Sequence, residues 1–111
     1  ENDPKMRLVL CAELDGEVVG SGRLSEVPDP DAPKRTRLEL GYVVRADHAG
    51  RGIATEIAIG MVEEARARGH DRLYARAARA HIASQRVLEH AGFRIADRTG
   101  EDGAVHYVVA L

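Results

Sequence analysis

Leu38-Glu39-Leu40-Gly41-Tyr42-Val43-Val44, followed by Ala49-Gly50-Arg51-Gly52-Ile53-Ala54-Thr55-Glu56, holds the change of period that organises the chain. Leu38, Leu40, Tyr42 and Val44 alternate with Glu39, Gly41 and Val43, which is the repeat of a strand. Beyond the glycines, Ile53, Ile57, Met61 and Ala65 recur at i+4 beside Ala54, Ala58 and Val62, the stripe of an amphipathic helix, with Gly69 as its C′ residue. Gly50 and Gly52 feed straight into that helix. Their amides share a concave direction, and the helix terminus adds about half a positive charge, so the turn can receive an anion. No Gly-Lys-Ser/Thr follows, so it is not a Walker loop, and Thr55 sits where a dinucleotide fingerprint needs its third glycine. A plain tight turn is the other reading of these residues.

Working outward, Leu8, Leu10, Ala12 and Leu14 alternate through 7–14 as a first strand. Asp15-Gly16 supplies a hairpin turn. Residues 17–24 return as a second strand, in which Gly20 and Gly22 point to a close backbone approach or a bulge. Pro28, Pro30 and Pro33 mark 25–37 as a surface loop before the third strand at 38–44. Downstream, 72–77 is a fourth strand. Ala83, Val87, Leu88 and Ala91 form a second helix stopped by Gly92. Residues 93–98 and 104–111 read as a closing hairpin around Gly100 and Gly103. The order is βββαβαββ, a mixed α/β (α+β) fold with a mostly antiparallel sheet flanked by helices, in one domain over 1–111.

The 111 residues carry 16 Lys+Arg and 18 Asp+Glu, a formal net charge of −2, which argues against a general nucleic-acid binder. Residues 45–98 are nevertheless net +3 and the remainder net −5, so the basic half suits a compact anion such as a polyphosphate, or simply has solvated helix faces. With 44% hydrophobic and 31% charged residues the chain is globular in composition. No apolar run approaches the ~20 residues of a membrane span and no secretory signal opens the chain, so a cytoplasmic protein without a membrane partner is expected. The single Cys11 excludes a disulfide framework and reads as a small buried hydrophobe. The five histidines lack HxxxH or HxH spacing, so no metal site is expected.

Three spaced segments together resemble the GNAT N-acetyltransferases, nearest the ribosomal-protein N-acetyltransferase branch. They are Leu38 to Val44, Ala49 to Glu56, and His81-Ile82-Ala83-Ser84-Gln85-Arg86-Val87-Leu88-Glu89-His90-Ala91-Gly92-Phe93. The branch reads similarly as E-L-G-Y, G-x-G-x-A-T-E and N-x-x-S-x-R-V-L-E-x-x-G-F. The resemblance implies acetyl-CoA as co-substrate, its pantetheine arm on main chain near Val43, Val44 and Arg45. Its pyrophosphate would lie on the amides of Gly50, Arg51, Gly52, Ile53, Ala54 and Thr55. Two positions depart from the pattern: Ala49 stands where the superfamily usually has Gln or Arg, and His81 stands where it usually has Asn. His81 remains a candidate cofactor contact through its imidazole, while Arg51, Arg79 and Arg86 are candidate phosphate partners.

Acetyl transfer to an amine needs a proton acceptor and, for the departing thiolate, a proton. Glu39, a carboxylate on an otherwise apolar strand, is the candidate base, with a salt-bridged strand residue as the alternative. Leu88 occupies the place where many GNAT enzymes carry a tyrosine acid. Ser84 is then the candidate acid, with helix capping as its alternative. Tyr42 reads as core. The expected activity is acetyl transfer from acetyl-CoA to a primary amine, on a small molecule or a peptide, by direct attack. A silent acyl-CoA-binding or interaction module and a nucleotide-binding domain are the competing readings. GNAT domains usually open with a strand and helices before the hairpin seen here, and this chain starts with Glu rather than Met. An N-terminal portion beyond the chain, or homo-oligomerisation through an unblunted first strand, is therefore expected.

Overall fold

The computed structural model describes residues 5–98 and 102–111. Six strands form one sheet: β1 (Lys5–Leu14), β2 (Glu17–Asp29), β3 (Ala32–Val44), β4 (Arg72–Ala78), β5 (Arg94–Asp97) and β6 (Ala104–Ala110). They lie in the order β1-β2-β3-β4-β6-β5, antiparallel throughout except where β3 meets β4. Helix α1 (Ile53–Ala67) joins those two parallel strands, and α2 (Ile82–His90) follows β4. The order βββαβαββ is the one read from the sequence, with a single 3₁₀ turn, Ala46–His48, ahead of the Gly50 loop.

One cross-strand row explains why this register holds. Leu8 faces Leu24, Leu24 faces Leu40, Leu40 faces Ala75, Ala75 faces Tyr107, and Tyr107 faces Ile95. All six join the hydrophobic cluster that α1 completes with Ala58, Met61, Val62 and Ala65, and α2 with Leu88. A one-residue slip would turn the whole row to solvent. Both helices end as their glycines suggest, in Schellman closures: His70 N–H donates to Ala65 O, and Phe93 N–H to Leu88 O.

Three expectations need correction. Residues 25–37 are not a loop, because β2 and β3 run on as a ribbon to a turn at Pro30-Asp31, where Asp31 N–H donates to Asp29 Oδ1 at 2.9 Å. Pro28 is accommodated beside an irregularity in the ladder, since the β2–β3 register shifts between Pro28 and Asp29. Cys11 is exposed rather than buried, since β1 is an edge strand with one neighbour. That edge is also blunted, because the pairing shifts between Met6 and Leu8 and between Ala12 and Glu13. Of the closing hairpin's two glycines, Gly103 lies within the described residues and Gly100 lies outside them.

The close approach expected at Gly20 and Gly22 is real. A Cβ at Gly22 would lie 2.6 Å from Ile57 Cγ2 and 3.0 Å from Met61 Cγ, so α1 rests directly on the β2 backbone. Gly60, within α1, has nothing within 4 Å of an added Cβ. In urea denaturation, Gly22→Ala is expected to cost about 1–3 kcal/mol through overpacking. Gly60→Ala should add about 0.5–1 kcal/mol from helix propensity. Equal shifts for the two would contradict the packing of α1 on β2.

Candidate active site

β3 and β4 are paired at only two positions, Glu39 with Tyr74 and Leu40 with Ala75. Beyond Leu40 and Ala75 they part, and main-chain groups on that side of β3 have no strand to pair with. The opening is a cleft of about 460 Å³, walled by Gly41 and Tyr42 from β3, Ala77 and Ala78 from β4, and Ser84 from α2, with Glu39 and Arg76 at the seam. Tyr42, expected in the core, is half-buried and lines this cleft, its hydroxyl 3.5 Å from Ser84 O.

Glu39 is buried, and its two oxygens are held from both sides of the seam. Arg37 Nε and Nη2 donate to Oε2 at 3.0 and 2.8 Å, and Arg76 Nε donates to Oε1 at 3.2 Å. Arg37 Nη2 also lies 3.1 Å from His106 Nδ1, so Nδ1 is the acceptor and the ring carries its proton on Nε2. That Nε2–H donates to Asp102, 3.1 Å from Oδ1, and Arg76 Nη1 donates to Asp102 Oδ2 at 3.0 Å. The five side chains close a ring in which two guanidiniums balance two carboxylates around a neutral imidazole. Arg37 also lies 4.4 Å from the centre of the Tyr74 ring. Asp102 titrates below the usual carboxylate range, chiefly because the Ala104 amide and then His106 and Arg76 donate to its charged form. Its lowered value stabilises the fold above the ordinary carboxylate range, and that contribution is lost as pH falls through the folded-state value. No local pattern announces this ring, whose members are spread over β3, β4, β6 and the approach to β6.

The predicted cofactor residues from Val43 to Thr55 lie on one continuous path from β3 into α1, while His81 lies apart from it at the start of α2 and Arg86 within that helix. Gly50 and Gly52 have φ of 81° and 80°, and a Cβ at either meets nothing within 4 Å. Ala49 N–H donates to Ala46 O and Glu56 N–H to Gly52 O. Among the described residues, the amides between them, at Gly50, Arg51, Gly52, Ile53, Ala54 and Thr55, have no acceptor. Six unpaired donors at a helix N-terminus, with open space in front of the glycines, fit a pyrophosphate. Val43 is 59% exposed, but its carbonyl oxygen is turned to β2, 2.9 Å from where a Cβ at Gly20 would stand. Arg45 contributes less than expected, since its N–H donates to Val19 O at 2.8 Å and its guanidinium pairs bidentately with Asp47. Arg51 and Arg86 are exposed and without an ion pair among the described residues, whereas Arg79 donates to Arg98 O. Ser84 Oγ does not cap the helix; it lies 2.9 Å from His81 Nδ1. Leu88 is buried, so no hydroxyl stands at that turn of α2.

No group of three or more candidate metal ligands occurs among the described residues, and no helix there is long and apolar enough to cross a membrane.

The family model for the acetyltransferase (GNAT) domain matches residues 1–94. Among solved structures, the chain is similar to the GNAT domain of S. lividans PAT, with 27% identity, a TM-score of 0.78, and coverage of 93% of this chain and 60% of that one. It is similar to the ribosomal-protein-alanine N-acetyltransferase from Brucella melitensis at 26% identity and a TM-score of 0.76, covering 93% and 68% of the two chains. The fold is also that of yncA, a putative acetyltransferase from Salmonella typhimurium solved with its cofactor acetyl-CoA, at 22% identity and a TM-score of 0.79, covering 93% and 64%. The chain thus spans roughly three fifths to two thirds of the length of these structures. No curated protein matches it.

Asn and Asp both tolerate the left-handed conformation at position 52 and have the same size, so they separate charge from backbone strain. By calorimetry, Gly52→Asp is expected to bind CoA at least ~10-fold more weakly than Gly52→Asn, with the gap narrowing in high salt. Equal affinities would remove residues 50–55 from the phosphate site.

Proposed function

The chain belongs to the GNAT acetyltransferase family, and on that premise we propose that it moves an acetyl group from acetyl-CoA to a primary amine by direct attack. The observation that carries this reading is the run of six amides from Gly50 to Thr55 without an acceptor among the described residues, on the segment that leaves β3, whose strand walls the cleft together with Ser84. Acetyl-CoA supplies an activated acyl group as its thioester. Residues 50–55 hold its pyrophosphate, and the main chain of β3 near Val44, on the side that β4 leaves, aligns the arm.

The acceptor must be neutral to attack. At pH 7 deprotonation costs about 1 kcal/mol for an α-amine and nearly ~5 kcal/mol for a lysine. The likeness to a ribosomal-protein-alanine N-acetyltransferase favours the α-amine of a peptide. Among the described residues two carboxylates border the cleft, Glu39 and Asp102. Asp102 is a poor proton acceptor because its charged form is so strongly stabilised. Glu39 takes the amine proton, directly or through water, using lone pairs that the guanidiniums leave open. Ser84 Oγ–H donates toward the sulfur as the thiolate departs, help that a thiol of ordinary pKa near ~8.5 needs only weakly.

A silent acyl-CoA-binding module is the second reading, favoured by the double guanidinium clamp on Glu39 and by Leu88. Free-thiol release with a panel of peptide, lysine and small-molecule amines separates the two. With a responsive amine, Glu39→Gln should lower turnover by about 10²-fold while CoA affinity stays the same. The amide oxygen keeps one acceptor for Arg37 or Arg76, and thermal melting checks that the seam survives. Unchanged turnover in a folded Glu39→Gln protein would remove Glu39 as the base.

A further inference from the structure

His81 is the N-cap of α2, yet its side chain caps nothing. The ring is turned onto Ser84 instead, with Nδ1 2.9 Å from Oγ. The two residues differ in exposure: Ser84 is half-buried and lines the cleft, while His81 is exposed. One end of the pair is thus in water and the other on the cleft wall. The surroundings hold it in place. His81 N–H donates to Ala78 O, Gln85 Nε2 donates to the carbonyls of Ala78 and Arg79, and Tyr42 Oη reaches Ser84 O from β3. Of the charged groups near in sequence, Arg79 donates to Arg98 O and Arg86 is exposed on α2. Among the described residues, no carboxylate pairs with the His81 ring.

A hydrogen bond between imidazole Nδ1 and a hydroxyl works in either direction. The imidazolium donates Nδ1–H to Oγ; the neutral ring with its proton on Nε2 accepts Oγ–H at Nδ1. We propose that His81 is the positioning and proton-supplying partner of Ser84, linking solvent to the cleft wall in a two-residue relay. The proposal rests on the acetyltransferase reading above. As the carbon–sulfur bond breaks, the Ser84 Oγ proton passes to sulfur and the imidazolium Nδ1 proton passes to Oγ. A neutral His81 with its proton on Nε2 remains. Solvent, which receives the amine proton by way of Glu39, returns one proton to the exposed ring, so protons balance over the cycle and no other reactant is needed. Histidine is suited to this because its ordinary titration range lies near neutral pH.

Two measurements test the relay, and the first needs neither ligand nor activity. In ligand-free protein labelled with 15N-histidine, the His81 Nδ1 resonance, assigned by its absence in His81→Asn, should move in Ser84→Ala while the other four histidines stay in place. A stationary resonance overturns the pair. The second is the pH dependence of thiol release at saturating acetyl-CoA and amine. The parent rate should rise with amine deprotonation and fall at higher pH as the imidazolium is lost. His81→Asn keeps a favoured N-cap residue, so the helix start is retained. It should be about 10-fold slower at the parent optimum, a modest loss because thiolate leaves readily, and should lose the alkaline fall. Persistence of that fall in His81→Asn overturns the relay alone. Failure of the parent to bind CoA or to release thiol with any amine overturns the acetyltransferase reading and the relay with it, whatever the resonance does.

Discussion

Two residue pairs hold this molecule together across its middle. Glu39 opposite Tyr74 and Leu40 opposite Ala75 are the whole of the pairing between β3 and β4. The alternation of a strand gives the junction two characters: Leu40 continues the apolar row under the helices, and Glu39, on the other face, draws Arg37 and Arg76 together across the gap. With Arg37 and Glu39 only 8% and 10% exposed at the side chain, removing either leaves the other charge poorly solvated, a costly arrangement in a protein interior. The junction cannot lengthen without breaking the divergence that makes the cleft, and cannot shorten without separating the sheet.

The ring through Glu39, Arg37, His106, Asp102 and Arg76 extends that constraint from the seam to the approach to β6. Its geometry fixes a histidine tautomer and the direction of a carboxylate at once, since Arg37 reaches both Glu39 and the His106 Nδ1 acceptor. In the acetyltransferase reading, the base is therefore oriented by side chains drawn from both sides of the seam. The proposed anion cradle is built on a different principle. It uses amides that the start of α1 leaves without partners, and on that reading needs no side chain at position 49.

The elements were readable because periodicity and glycine placement act locally. The two-residue repeat at 38–44, the i+4 stripe from Ile53 and the glycines after each helix all appear where expected. What failed depended on neighbours. Three prolines between 28 and 33 suggested a loop, but a proline is tolerated in a strand at a bulge, and the β2–β3 register shifts directly after Pro28. Cys11 looked buried from its own segment, yet burial of an edge strand depends on what covers it. At the site, the glycine turn and its unpaired amides were legible, while the setting of Glu39 was not. Arg76 and His106 lie 37 and 67 positions away, and only the sheet brings them together. Ser84 and His81 stood three apart in plain view, but helix capping competed for the same hydroxyl.

Every strand on one side of the seam precedes residue 45, and every strand on the other follows residue 71. The meander of β1, β2 and β3 draws on contacts close in sequence, whereas the seam joins positions 35 apart. The entropy of closing that loop falls largely on the junction whose incompleteness leaves the cleft open. A molecule gripping both walls would consequently be a ligand of the folding equilibrium as well as of the active site, returning as thermal stability part of what the chain spends in bringing its halves together.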